Sequence, residues 1–288
     1  MPGIERAPGG RDVGLSVRMW FALAAVALTS LAAIAGVTAV LAFTFGPVVA
    51  SCAFALVVGL LVWNAESTDV DGRVAKRTEQ PVLHAILDRL SATADVPKPL
   101  LAITPAETPN SFVVGAANER PTIFLTQGLL DRLDIQELEA VVAHELTHIV
   151  NRDGGAMMLV SAPMRLADGA IRRAKLLVLL VFWTYVLALK ILGWLAMLGA
   201  YAFSCCREYS ADRGAALLTG TPEYLMSALQ KIAGDAESIP SQDLRALAPV
   251  TAVCIFPSRR GWATHPPLEK RLERLAELAR ELGRARLA

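Results

Sequence analysis

Five consecutive residues, His144-Glu145-Leu146-Thr147-His148, have the types and spacing of a metal site with a base beside it. On a helix, residues four apart lie on one face a turn apart, so both imidazoles can reach a single Zn²⁺ at about 2.0–2.1 Å. Glu145 is rotated from His144 by roughly 100° and stands beside the metal without ligating it. A carboxylate must be there to take a proton from an attacking water and hand it to a leaving amine. The chain has only four histidines, which makes a chance match rare. A surface helix with two solvated histidines is the plainer alternative. The flanks Val141, Val142, Leu146, Ile149 and Val150 oppose it, since they make the helix largely buried, where two histidines and a glutamate need a common purpose.

A catalytic zinc needs a third protein ligand and one position left for water. Glu208 is the strongest downstream candidate, in Arg207-Glu208-Tyr209-Ser210-Ala211-Asp212. Asp212, four residues on, shares its helical face and can accept a hydrogen bond from the free ring nitrogen of a zinc histidine, fixing its tautomer. The alternative for both is an exposed face shared with Arg207 and Arg213.

These residues must be positioned by a chain divided between bilayer and water. Hydrophobic residues make up 54% and charged residues 19%, with the apolar excess in blocks. A formal net charge of +1 gives no general electrostatic case for nucleic acid. The four cysteines (Cys52, Cys205, Cys206 and Cys254) show neither CxxC nor paired spacing, as expected of apolar-packed thiols in a reducing compartment. Residues 1–18 read as a short arm. Two uncharged runs follow, Met19–Phe43 and Val48–Trp63, separated by Gly46-Pro47; a bilayer core of roughly 30 Å needs about 20 such residues, so 19–64 reads as a transmembrane helical hairpin. A cleaved signal peptide is the competing reading of the first run, and its apolar length is too great for one. Arg6, Arg11 and Arg18 precede the hairpin and Arg73, Lys76 and Arg77 follow it, which places both ends in the cytoplasm of a multi-pass cell-membrane protein.

Beyond the hairpin, 65–288 reads as one domain with a hydrophobic insertion at 176–206. A helix runs from Thr78-Glu79-Gln80-Pro81 to about Ala94, strands follow at 100–104, 111–117 and 122–126, and Asp134 with Glu137 forms a capping box for the long helix carrying the histidines. Helices are expected at 207–219 and 222–234, loop at 235–264, and a last helix from Pro267 whose Leu268, Leu272, Leu275, Leu278 and Leu282 pack on the domain.

HELTHIVNRD (144–153), REYSAD (207–212) and THPPLEKRLERL (264–275), in this order behind a membrane hairpin, resemble the HtpX-like membrane zinc metalloproteases, gluzincins related to the CAAX prenyl endopeptidases. The resemblance implies a mainly α (α+β) integral membrane protein with a zincin-type domain holding one Zn²⁺ per chain, and polypeptide substrates, chiefly misfolded or damaged membrane proteins. It implies Glu208 as third ligand, Asp212 behind the ligands, and His265 and Arg271 facing the site as stabilisers of the oxyanion. Pro109-Asn110-Ser111-Phe112-Val113-Val114-Gly115 looks like the family's P-N-A-F segment, with serine at 111 in place of alanine. That implies substrate contact along Asn110, Phe112, Val113 and Val114, where an unpaired edge would bind extended peptide through its main chain; an internal hairpin strand is the alternative.

Glu208 must meet His144 and His148 at one ion, so Ala143 and Arg207 belong on the same side of the bilayer. Block 176–206 then crosses twice, as a shallow hairpin turning at Lys190, or not at all, as helix lying along the membrane or on the domain. Three rival functions remain. A prenyl-protein endopeptidase needs a chamber with more spans than this chain supplies. An intramembrane protease is opposed by Asp131, Asp134, Glu137, Glu139, Arg152 and Asp153 around the motif. An inactive zinc scaffold has no use for Glu145.

Overall fold

The computed structural model describes residues 72–114, 120–151, 153, 183–235 and 265–287, with scattered positions between 21 and 36. The arm 1–18, the expected hairpin 19–64 apart from those scattered positions, and the loop 236–264 lie outside these residues. Two compact units divide the chain; one includes Thr68–Gly155 and Ser204–Ala288 and contains every residue singled out above for chemistry, the other Val17–Ser67 and Ala156–Phe203. Among the described residues, no helix is long and apolar enough to cross a membrane.

The first unit is built on β1 (Arg73–Val74), α1 (Pro81–Thr93), β2 (Leu100–Thr104), β3 (Ser111–Val114), β4 (Thr122–Thr126), α2 (Gln127–Arg132) and α3 (Ile135–Asn151). The C-terminal part of α4 (Trp183–Thr219), then α5 (Pro222–Asp235) and α6 (Leu268–Leu287), complete it. The strands form one sheet in the order β1-β2-β4-β3, with β2 and β4 parallel and the outer pairs antiparallel. Leu101 pairs with Ile123, and Ile123 and Leu125 turn to the helices, where they join Leu87, Leu90, Val141, Val142, Leu146, Leu225, Leu229, Leu275 and Leu278 in one core. Period-2 alternation puts Ala102, Phe112 and Phe124 on the other face, where Phe112 stacks on Phe124 at 5.0 Å. β3 is the edge, with no strand beyond it among the described residues.

The helix carrying the histidines starts as the capping box dictates: Asp134 N–H donates to Glu137 Oε2 and Glu137 N–H to Asp134 Oδ1, both at 2.9 Å. Its residues from Glu137 to His148 are buried almost without interruption. α4 crosses it at unusually short range. Ala211, Ala215 and Ala216 are fully buried there, and a Cβ built on Gly214 would stand 2.3 Å from Thr147 Cγ2. The leucine stripe of α6 packs as expected, with Leu275 and Leu278 buried and Leu268, Leu272 and Leu282 against the core.

Three features differ from expectation. α2 is a six-residue helix that the strand-to-helix reading passed over; Thr126 caps it by accepting from Leu129 N–H, and Gly128 is required because a Cβ would meet Glu107 O at 1.8 Å. β1 adds a short antiparallel strand. The turn at Lys190 is not formed: Trp183–Thr219 is a single helix of 37 residues and Lys190 is exposed on it. The run Val186-Leu187-Ala188-Leu189-Lys190-Ile191-Leu192 contains neither proline nor glycine, and lysine propagates a helix as well as leucine does. The division of 176–206 into two short passes at that residue is therefore not available.

Candidate metal centre

Residues 144 and 148, one turn apart on α3, bring His144 Nε2 and His148 Nε2 to 3.2 Å with the rings edge to face. Glu208, on α4, lies opposite, with Oε2 at 3.6 Å from His144 Nε2 and Oε1 at 3.7 Å from His148 Nε2. All three ligand atoms fall within 4.8 Å of one another. Tetrahedral ligands at about 2.0–2.1 Å from a metal stand about 3.3 Å apart, so the set has the size of one small cation site. Among the described residues no other group of three such side chains comes together.

The charges also fit. Glu145, Asp153, Glu208 and Asp212 are buried carboxylates, while Arg207 and Arg271 are the buried guanidinium groups beside them. Among the described residues of the site, four buried carboxylates against two buried guanidinium groups leave an excess of negative charge, which burial makes expensive and a divalent cation would offset. Without a cation the cluster draws in protons instead. Burial opposes a charged imidazole at His144, but the Asp212 and Glu208 carboxylates beside it outweigh burial and raise the pKa to about 9. Burial likewise disfavours ionised Glu208, yet His265, His144 and Arg207 close around it hold its carboxyl well below the usual range.

Each imidazole is held from behind. His148 Nδ1 is 2.7 Å from Asp153 Oδ2. His144 Nδ1 is 3.1 Å from Asp212 Oδ1, within ion-pairing range though off the line of a good hydrogen bond. Asp212 is in turn gripped by Arg271, whose Nε and Nη2 donate to its two oxygens at 2.8 and 2.6 Å. Burial would raise the Asp212 pKa, but Arg271 and His144 pull it below the ordinary value. Arg207 Nη2 donates to Glu208 Oε1 at 2.9 Å.

Glu145 is fully buried next to the ligands, with Oε1 accepting from Ser111 Oγ at 2.5 Å and Oε2 bonded to nothing among the described residues. His265 stands before Pro266-Pro267 at the start of α6, buried, its Nδ1 at 3.4 Å from Glu208 Oε2. The structure thus brings together His144, Glu145, His148, Glu208, Asp212, His265 and Arg271. Arg271, expected to face a developing oxyanion, points two of its donors at Asp212 and lies 3.7 Å from Glu208 Oε2 through Nη1. Asn110 and Phe112 do not offer side chains to a substrate: Asn110 Oδ1 accepts from Ser111 N–H, and the Phe112 ring is fully buried. Val113 and Val114 are half-buried on the open edge.

Ser111 and Asp153 escaped the sequence reading as site residues. Asp153 had a signal in retrospect: it is the first carboxylate past the end of the His148 helix, near enough in chain for its side chain to reach back. Ser111 had none, since 34 residues separate it from Glu145.

An α-helix with two histidines a turn apart, a glutamate from a second helix and, beside them, a carboxylate oxygen unbonded among the described residues have the make-up of a metalloprotease site. The comparisons with known proteins say which kind. The chain belongs to peptidase family M48, whose sequence profile matches residues 77–279. The Streptomyces coelicolor protein named "Protease HtpX homolog 1" is 36% identical over 95% of this chain and 96% of its own. The "Protease HtpX homolog" of Moorella thermoacetica is 35% identical over 96% and 98%, and that of Pyrococcus furiosus 37% over 74% and 78%. The crystal structure of S. mikatae Ste24p matches with a TM-score of 0.44 at 16% identity, over 90% of this chain and 66% of that one, too loosely to bear on the assignment.

Proposed function

We propose that the chain is a zinc endopeptidase with one ion per chain, anchored in the cell membrane with its catalytic part on the cytoplasmic side. Its substrates in this reading are polypeptides, chiefly misfolded or damaged membrane proteins. The observation that carries it is the meeting of His144, His148 and Glu208 around a point flanked by a buried glutamate with one unbonded oxygen. Bound there, zinc would supply Lewis-acid polarisation of the scissile carbonyl and acidify the attacking water. Glu145 Oε2 accepts the proton of that water and delivers it to the departing amine. Asp153 and Asp212 fix the orientation of the two imidazoles, and Arg271 fixes Asp212. His265, with both ring nitrogens free of hydrogen bonds among the described residues, is the donor left to meet the developing oxyanion. Extended substrate adds to the edge of β3 through its main chain, beside Val113 and Val114.

Membrane anchoring rests on the apolar runs 19–43 and 48–63 and the basic residues at both ends. The decisive experiment compares casein cleavage by the wild type and Glu145→Gln, with zinc content measured in both. Loss of cleavage with zinc retained is expected; equal cleavage sinks the mechanism. Accessibility of single cysteines placed at 10 and 270 to an impermeant reagent in intact cells tests the orientation, and labelling from outside overturns it.

A further inference from the structure

We infer that Ser111 is a positioning residue for the base: its hydroxyl pins one oxygen of Glu145 so that the other is aimed at the reaction. This rests on the proposed role of Glu145. Ser111 Oγ donates to Glu145 Oε1 at 2.5 Å, the short range of a hydroxyl bonded to a charged carboxylate, and both residues are fully buried. The other oxygen, Oε2, has no partner among the described residues. One oxygen is anchored and one is kept available.

Serine stands here in place of the family's alanine, and it gives the glutamate a hold that alanine cannot. Its carboxylate hangs on three rotatable bonds, and two attractions compete for it. The cation-sized cluster of His144, His148 and Glu208 begins one residue away, and the positive charge of Arg271 also acts on Glu145. A carboxylate that swung onto the cation would become a ligand and close the position that a catalytic site keeps open. One that swung to Arg271 would leave the water without a base. Ser111 opposes both.

The anchor is itself rigid. Ser111 is the first residue of β3 and pairs with Leu125. Its N–H donates to Asn110 Oδ1 at 2.9 Å, Asn110 N–H donates to Thr126 Oγ1 at 2.9 Å, and Thr126 N–H donates to Asn110 O at 3.1 Å. The hydroxyl is thus carried by the sheet and not by the helix that carries the base. Its main chain also begins the open edge, so whatever seats β3 also seats Glu145.

The test uses the full-length, zinc-loaded protein in detergent and a quenched fluorescent peptide. Ser111→Ala should lower kcat about ten- to a hundredfold with KM within about twofold, the range expected when a catalytic group is held about 1 Å out of place. Zinc stoichiometry should stay at the wild-type value, and resistance to a competing chelator should be equal or greater. Ser111→Thr, which keeps the hydroxyl, should recover kcat to within about threefold. In a Glu145→Gln background, Ser111→Ala should change the residual rate by less than about twofold, since the serine acts through the carboxylate. Unchanged kcat in Ser111→Ala overturns the inference, as does a loss confined to KM or to zinc content. Full activity in Glu145→Gln is a different result, and it removes the base itself.

Discussion

Gly214→Ala places a methyl group at the closest approach of α3 and α4. The added Cβ would stand 2.3 Å from Thr147 Cγ2, 2.7 Å from Thr147 Oγ1 and 3.1 Å from Thr147 Cβ. Carbon atoms in contact sit at about 3.5–4.0 Å, so either the helices part by more than about 1 Å or Thr147 turns. Turning is resisted: a β-branched side chain in a helix has few rotamers, Thr147 is buried, and its Oγ1 donates to Ala143 O at 2.8 Å. Overpacking of this kind costs about 1–3 kcal/mol, against which alanine recovers about 1 kcal/mol of helix propensity over glycine, so folding stability should fall by no more than about 2 kcal/mol. The site should change more. Glu208 lies six residues before Gly214, about 9 Å along the same helix, and its oxygens meet the histidines at 3.6 and 3.7 Å. Displacing it by about 1 Å should weaken zinc binding at least about tenfold and cut cleavage by about a hundredfold. Chelator competition reads the first, casein hydrolysis the second, and thermal unfolding separates both from misfolding. Thr147→Ala in the same chain makes room for the methyl and should restore most of the zinc affinity. A Gly214→Ala protein that binds zinc and cleaves casein like wild type would refute this account of the crossing.

Asp153→Ala frees the His148 ring and should lower zinc affinity by about ten- to a hundredfold, measured against a competing chelator; unchanged affinity would remove Asp153 from the site. Arg271→Gln takes the bidentate partner from buried Asp212 and leaves it only the His144 ring, which should destabilise the fold by about 3–5 kcal/mol in denaturant titration, with Arg271→Lys only partly recovering the grip. A loss under about 1 kcal/mol would mean that Asp212 finds another partner. Because the His144 pKa is raised to about 9, zinc must displace a proton at every lower pH. Its apparent Kd should rise about tenfold per unit as pH falls from about 8 to 6, with one proton released per ion by calorimetry in two buffers, and a flat profile refutes it.

The parts of this protein that sequence revealed are those whose cause is local. The four-residue spacing of His144 and His148 needs only helix geometry, the Asp134–Glu137 box needs only three residues, and the strands 100–104 and 122–126 follow from short apolar runs between breakers. Glu208 was reachable because a zinc pair demands a third ligand, and Glu208 and Asp212 share one helical face directly after the third apolar block. Ser111, Arg271's grip on Asp212 and the tolerance of Gly214 for Thr147 are tertiary: nothing near position 111 announces a carboxylate 34 residues on. The reading of Lys190 as a turn failed for a related reason. A single charge in an apolar run says where a bilayer would be offended, but the backbone turns only where a residue breaks the helix.

If substrate adds to the edge of β3 as proposed, that edge also bears on what limits the rate of cleavage. A sheet edge can be extended only by a segment whose own N–H and C=O groups are not already bonded within a folded structure. For a folded substrate, that segment must first open, and the free energy of local opening enters the cleavage rate directly. Each 1.4 kcal/mol by which damage loosens a segment should then raise its capture about tenfold, with no change in the protease itself. Selection between sound and damaged proteins would thus be made by the substrate's own stability.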